Sequence, residues 1–323
     1  MDGVAFASPA FVAAAQPPAL PQAALRGAVL LETPGAAAPS APASSAASTV
    51  SGLAAVAVGT AAMARAGARR AKKGKRVVSM KEGENWCRGL DDLKERTVDY
   101  YKAGARFAKW RTTVRVRDHS SIAVAEAAHG LARYASICQS SGLVPIIEPE
   151  ILLDGEHDID ECLEAFEETW AAVFKACADF GVCLEAVYLK PSMVTPGAQS
   201  GKTADPKTVA EYTLGALKRV VPPAVPGIFF LSGGQSEIQA TENLNAMNQS
   251  PNPWHVSFSY ARALQNTTLK TWAGKDENIV AAQSKLFQRA GANSKAQKGE
   301  YDAATADEDA TAAEGMYVKG YTY

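Results

Sequence analysis

Histidine is scarce in this chain and cysteine is unpaired. The 323 residues include four histidines (His119, His129, His157 and His255), too scattered to give a metal-ligand spacing. His157, within DGEHD, reads as a solvated loop residue. The five cysteines (Cys87, Cys138, Cys162, Cys177 and Cys183) are odd in number and contain no CxxC pair, which argues against a disulfide framework or a zinc site. Cys138, Cys162 and Cys177 fall in amphipathic stretches and read as small buried hydrophobes, in keeping with a reducing compartment. No G-x-G-x-x-G turn is present to support a dinucleotide fold. GAQSGKT (Gly197–Thr203) imitates a nucleotide loop, but three residues separate its glycines where four are required, and no strand directly precedes it.

Acidic residues nearly vanish from the first 80 positions. That stretch holds eight basic residues against Asp2 and Glu32, whereas the remainder carries 25 basic against 32 acidic, so a net charge of −1 hides two oppositely charged parts. The acidic body has no basic patch with interleaved aromatics, which excludes nucleic acid as a partner. Long apolar runs are missing too. Val50–Ala64 is apolar but only 15 residues long, short of the roughly 20 a spanning helix needs, so no stable membrane insertion is expected.

Residues 1–80 are rich in Ala, Ser, Pro and Gly, a composition that cannot bury enough apolar surface to offset its ordering entropy. An acid-poor, hydroxylated, Arg-bearing segment with a Phe-containing start reads as a disordered plastid transit peptide. The expected location is the plastid stroma, with a cytoplasmic protein as the alternative, and the mature chain is expected to begin between Arg70 and Glu84.

From Leu90 onward strands and helices alternate. Helices are expected from Leu90 to about Tyr101, Ser120–Ser141, Asp158–Phe180, Asp205–Val221, Ser236–Met247 and Glu277–Ala290. Strands are expected at Ala105–Val116, Leu143–Ile151, Cys183–Pro191, Gly227–Gly234 and Trp254–Tyr260. Nearly apolar strands separated by helices predict a parallel sheet covered on both faces. The polar residues are read at the C-terminal ends of these strands, where a (β/α)8 barrel assembles its chemistry. The expected fold is therefore α/β, an incomplete TIM-type barrel with about five of eight strands visible over residues 84–299, followed by a flexible tail at 300–323. An open doubly wound sheet is the rival.

Lys190 ends an apolar strand before Pro191. A desolvated lysine is a neutral amine able to attack a carbonyl, and Glu148 is placed to move protons for it. A plain ion pair is the alternative for each, Glu148 with Lys109 in particular. Ser232, Gly233 and Gly234 lie between a strand and a helix start, where backbone N–H groups can face an anion, with Arg262 able to close the site.

Seven stretches carry a resemblance: GLDDLKERTVDYYKAGARFAKWR, LARYASICQSSGLVPIIEPEIL, YLKPSMVTPG, VPPAVPGIFFLSGGQSE, LNAMNQ, SFSYARALQ and LKTWAGKDEN. In this order the chain resembles class I fructose-bisphosphate aldolases, the Schiff-base, metal-independent type, over about 84–323. The resemblance implies reversible cleavage of fructose 1,6-bisphosphate into dihydroxyacetone phosphate and glyceraldehyde 3-phosphate, with no cofactor. It implies that Lys190 forms the imine, that Glu148 transfers protons beside Glu150, and that Lys109 holds the substrate oxygen. Arg111 falls on the far-phosphate side; Ser232, Gly233, Gly234 and Arg262 form the near-phosphate site. Terminal Tyr323 matches the tyrosine that reaches the site during carbanion protonation.

FAKWR resembles the family's fourth strand, so counterparts of the first three strands are not seen, nor of the aspartate on the first and the lysine on the third. Ala261 stands where the family usually has glycine. The rival expectation is an inactive relative that binds a sugar phosphate or a protein. Two unpaired sheet edges would result, and homo-oligomer contacts are expected to cover them.

Overall fold

The computed structural model describes residues 81–306 and 309–319. The transit-peptide reading of 1–80 and the position of Tyr323 lie outside the described residues.

Five parallel strands form one sheet in the order in which they occur in the chain: β1 (Phe107–Val114), β2 (Val144–Ile151), β3 (Tyr188–Leu189), β4 (Gly227–Phe230) and β5 (His255–Phe258). Each connection carries a helix: α2 (Ser121–Ser140), α3 (Ile159–Asp179), α4 (Pro206–Val220) and α5 (Glu237–Asn248). A shorter α1 (Leu93–Lys102) precedes the sheet, and α6 (Arg262–Trp272) and α7 (Ile279–Ala296) follow it. This is the incomplete α/β barrel the pattern predicts. Among the described residues β1 and β5 each pair with one strand only.

Local chemistry sets the helix ends. Ser120 Oγ accepts from Ala123 N at 3.1 Å, starting α2. Asp158 and Glu161 form a reciprocal capping box at α3, with bonds of 3.0 and 2.9 Å. Asp205 caps α4 with Pro206 as its first residue, and Ser236 caps α5. Gly142 and Gly181 close α2 and α3 with φ of 80° and 63°, a backbone region that a Cβ disfavours.

Strand periodicity divides the sheet into two faces. Trp110, Ile147, Leu189, Ile228 and Val256 lie side by side in one row across all five strands. The last four are buried, and Trp110 stacks on Tyr134 of α2 with ring centroids 5.4 Å apart. This face meets the helices, where Leu131, Cys138, Phe166, Trp170, Leu217 and Leu244 complete the core. The neighbouring row is Lys109, Ile146, Tyr188, Gly227 and His255. Its side chains point to the opposite, concave face, because alternation along a strand has a period of two. Lys109 and Arg111 are thus the third and fifth residues of β1, inside the strand and not at its C-terminal end as expected.

Three further expectations change. Cys183–Pro191 is a short helical turn (Leu184–Ala186) and then only two strand residues, because the Gln139 side chain holds the backbone at Cys183 and Ala186 in a tight turn. Helix α6 was not foreseen: apart from Ala263 and Thr267 it buries little, so its periodicity is faint. His157 is 1% exposed instead of solvated. Its loop is covered by the loop at 197–199, which donates from Gly197 N to His157 O, Ala198 N to Leu153 O and Gln199 N to Gly155 O at 2.9–3.0 Å. Cys138, Cys162 and Cys177 are buried, as read from their helical positions. Among the described residues no helix is long and apolar enough to cross a membrane.

Candidate active site

Glu148 sits on the concave face of β2 between two lysines. Its Oε1 is 3.1 Å from Lys190 Nζ and its Oε2 is 2.8 Å from Lys109 Nζ. The Lys109 contact is a short charge pair rather than an aligned hydrogen bond. Side-chain exposure is 3% for Glu148, 16% for Lys190 and 43% for Lys109. Only Lys109 therefore keeps much water. Lys190 reaches this place because its backbone N–H donates to Ile147 O at 2.9 Å, which continues the β3 register by one residue. The alternative of a Glu148–Lys109 pair and the expectation of a Glu148–Lys190 pair thus coincide in one three-membered cluster.

Arg111 lies opposite Glu148 in the strand register, and its Nε is 2.6 Å from Glu150 Oε2. Two cation–carboxylate contacts consequently stand next to each other on β1 and β2. An ionised carboxylate beside two ammonium groups can accept a proton from one and return it to a nearby oxygen, the requirement for adding and losing water at a carbonyl carbon.

The glycine turn follows directly on β4. Leu231 N donates to Pro191 O at 3.0 Å, tying the start of this turn to the residue after Lys190. Gly233 and Gly234 take φ of 55° and 88° and Ser232 is buried. Arg262, the first residue of α6, donates from Nη1 to Met316 O at 2.7 Å, while Met316 N donates to Gly234 O at 3.0 Å. The turn and the arginine therefore meet through Met316, a residue that sequence reasoning passed over. Asp154, Gln199 and Tyr317 were also missed as neighbours of this mouth; EPEILLDGEHD holds Asp154, and GAQSGKT, set aside as an imitation nucleotide loop, holds Gln199.

A buried polar network supports the turn from below. The carboxylate of Glu237, 0% exposed, accepts from Thr267 N at 3.2 Å and from the Thr267 hydroxyl. Arg289 donates to Glu237 O at 2.7 Å and to Thr241 Oγ1 at 2.6 Å, so hydrogen bonds between buried polar groups join α5, α6 and α7. Among the described residues no three His, Cys, Asp or Glu side chains converge as metal ligands.

Comparison with known proteins gives this geometry a family. The model of the class I fructose-bisphosphate aldolase family matches residues 56–323. Fructose-bisphosphate aldolase 1, chloroplastic, of Chlamydomonas reinhardtii is 64% identical over 252 residues, 78% of this chain and 66% of its own length. Fructose-bisphosphate aldolase 2, chloroplastic, of Arabidopsis thaliana is 64% identical over 241 residues, 74% of this chain and 60% of its own. A crystal structure of fructose-bisphosphate aldolase from Plasmodium falciparum, bound there to TRAP and a small-molecule inhibitor, superposes with a TM-score of 0.67 at 49% identity, covering 69% of this chain and 65% of that one. The chain thus spans less than two thirds of the length of these relatives. Ordered strands, the buried lysine–carboxylate cluster and these matches place the chain in the class I fructose-bisphosphate aldolase family, with relatives of the plastid type.

Proposed function

We propose that the chain acts on fructose 1,6-bisphosphate as a Schiff-base aldolase in the plastid. The observation that carries this reading is Lys190, nearly buried and 3.1 Å from Glu148. Glu148 takes a proton from the lysine, and the free amine adds to the C2 carbonyl of the ketose phosphate. Loss of the C2 hydroxyl as water, protonated by Glu148, leaves an iminium. The C3–C4 electron pair then moves into a C2–C3 double bond as Glu148, a carboxylate again after the water has left, takes the O4 proton and glyceraldehyde 3-phosphate departs. The iminium is the electron sink, so the scheme uses no metal or organic cofactor. Protonation at C3 and hydrolysis release dihydroxyacetone phosphate and restore the amine.

Lys109 holds substrate oxygens beside Glu148, with Arg111 and Glu150 toward the far phosphate. Ser232, Gly233, Gly234 and Arg262 receive the near one, and Tyr323 supplies the C3 proton. Contacts between copies of the chain cover the β1 and β5 edges, so a soluble monomer in native mass spectrometry would overturn that part of the reading.

The deciding experiment is borohydride trapping with dihydroxyacetone phosphate, followed by peptide mapping. An adduct on Lys190 is the expected result. A folded protein without one would overturn the catalytic assignment.

A further inference from the structure

A proline follows each member of the Lys190–Glu148 pair. Pro149 comes after Glu148 on β2, and Pro191 comes after Lys190 just beyond β3. Proline has no N–H to give a sheet. On β2 the bonding alternates between its two neighbours, residue by residue. Leu152 N donates to Val114 O of β1 at 2.9 Å, so positions 147, 149 and 151 face β3.

The β2–β3 ladder is short for this reason. It pairs Ile146 with Tyr188 and Ile147 with Leu189, and Lys190 N then donates to Ile147 O at 2.9 Å. The following bond would run from residue 149 to Lys190 O, and Pro149 cannot make it. Pro191 likewise gives no N–H toward β4, although its carbonyl accepts from Leu231 N at 3.0 Å. The next β2 donor facing β3 is Ile151 N. It donates to the Ser192 hydroxyl oxygen at 3.1 Å, so a side chain stands where a ladder would use a carbonyl.

Ser192 and Ile151 are each 4% exposed. With Ser192 Oγ removed, the Ile151 N–H would be buried without this acceptor, at the cost of its desolvation. Two residues further on, Val194 N donates to Thr213 Oγ1 of α4 at 3.0 Å, which fixes the stretch from its other side. Lys190 and Glu148 therefore lie between two cross-strand bonds, Lys190 N to Ile147 O before them and Ile151 N to Ser192 Oγ after them.

We propose that Ser192 is a positioning residue for imine formation: by accepting from Ile151 N past the gap left by Pro149, its hydroxyl holds Lys190 Nζ against the Glu148 carboxylate. This rests on the reading of Lys190 as the imine-forming lysine. Ser192 acts through Lys190 and the backbone that carries it.

The test compares the full chain as wild type, Ser192→Ala, Ser192→Cys and Ser192→Thr. Cysteine keeps nearly the same shape but offers only a weak acceptor, whereas threonine keeps the hydroxyl. Amide hydrogen exchange at Ile151 should speed by about 5- to 150-fold in Ser192→Ala. Timed borohydride quenching with dihydroxyacetone phosphate should show trapping at Lys190 slowed by about 10- to 100-fold, with its final yield kept. A partly unfolded population would lower the yield instead of the rate. Ser192→Cys should fall between Ser192→Ala and wild type, and it decides the matter if Ser192→Ala does not fold. Ser192→Thr should return both readings toward wild type. Unchanged Ile151 exchange in Ser192→Ala would overturn the bond. Faster exchange with an unchanged trapping rate would overturn the positioning role, as would slow trapping in Ser192→Thr with Ile151 still protected. No adduct in wild type would overturn the catalytic reading itself, and the role of Ser192 with it; an adduct in wild type leaves the variants to judge Ser192 alone.

Discussion

Glu148 Oε1 lies 3.1 Å from Lys190 Nζ, and neither side chain is more than 16% exposed. A carboxylate and an ammonium so far from water are costly to separate, because removing one partner leaves the other charged and desolvated. The second lysine matters less for stability. Lys109 is 43% exposed, so solvent already meets much of its charge.

Glu148→Gln should therefore retain the shape of the site and lose its proton transfer. The rate of imine formation at Lys190 is expected to fall by about 10²- to 10⁴-fold, read by timed borohydride quenching. Glu148→Ala should also lower stability, by about 3 kcal/mol or more in urea unfolding. Lys109→Ala should change stability by no more than about 1 kcal/mol. Equal trapping rates in Glu148→Gln and wild type would remove Glu148 from the chemistry.

Trp170→Ala should be among the most damaging core changes. Trp170 is 0% exposed, stacks on Phe174 and meets the tilted ring of Phe166, with ring centroids 5.9 Å from each. Its removal should cost about 3–5 kcal/mol, measured as a lower urea midpoint at an unchanged slope. A loss below 1 kcal/mol would mean that the helices close over the gap.

His157 should give stability a pH dependence near neutrality. Burial lowers its pKa below the ordinary imidazole value, so the folded chain resists a proton that the unfolded chain accepts. That contribution is present above the unfolded value of about 6.5 and is lost as pH falls through it toward the folded value. His157→Asn should flatten this part of the stability–pH curve. An unchanged slope would assign it to another group.

The thiols divide by burial. Cys87 and Cys183 are exposed, whereas burial pushes Cys138 and Cys162 up to about 11 and Cys177 up to about 12. An aromatic disulfide reagent should titrate two thiols quickly in the native protein and all five in denaturant. Rapid reaction of a third would show that a helix opens.

How much of this was legible beforehand depended on whether the cause was local. Strands β2 and β4 and helices α2 to α5 announced themselves through apolar periodicity, caps and stop glycines. The Gln139 clamp that shortens β3 could not be read, because its partners lie 44 and 47 residues away. His157 was misread for the same reason: the loop that buries it starts 40 positions later, at Gly197. The cluster of Lys190, Glu148 and Lys109 was anticipated as candidates, but their contact follows from register, which single strands do not state. Tyr317 carried no signal, since a tyrosine in a polar stretch is ordinary, and Gln199 lay in GAQSGKT, whose resemblance to a nucleotide loop pointed elsewhere.

The alternation on β1 has a consequence for how such a chain can change. Trp110 belongs to one side of the ribbon, and Lys109 and Arg111 to the other. Replacing a neighbour on the hollow side leaves the aromatic stack behind it intact. Charge and cohesion are thus placed at odd and even positions of the same eight residues. Selection can revise one set while holding the other still, which makes a ribbon of this kind a durable frame for new chemistry.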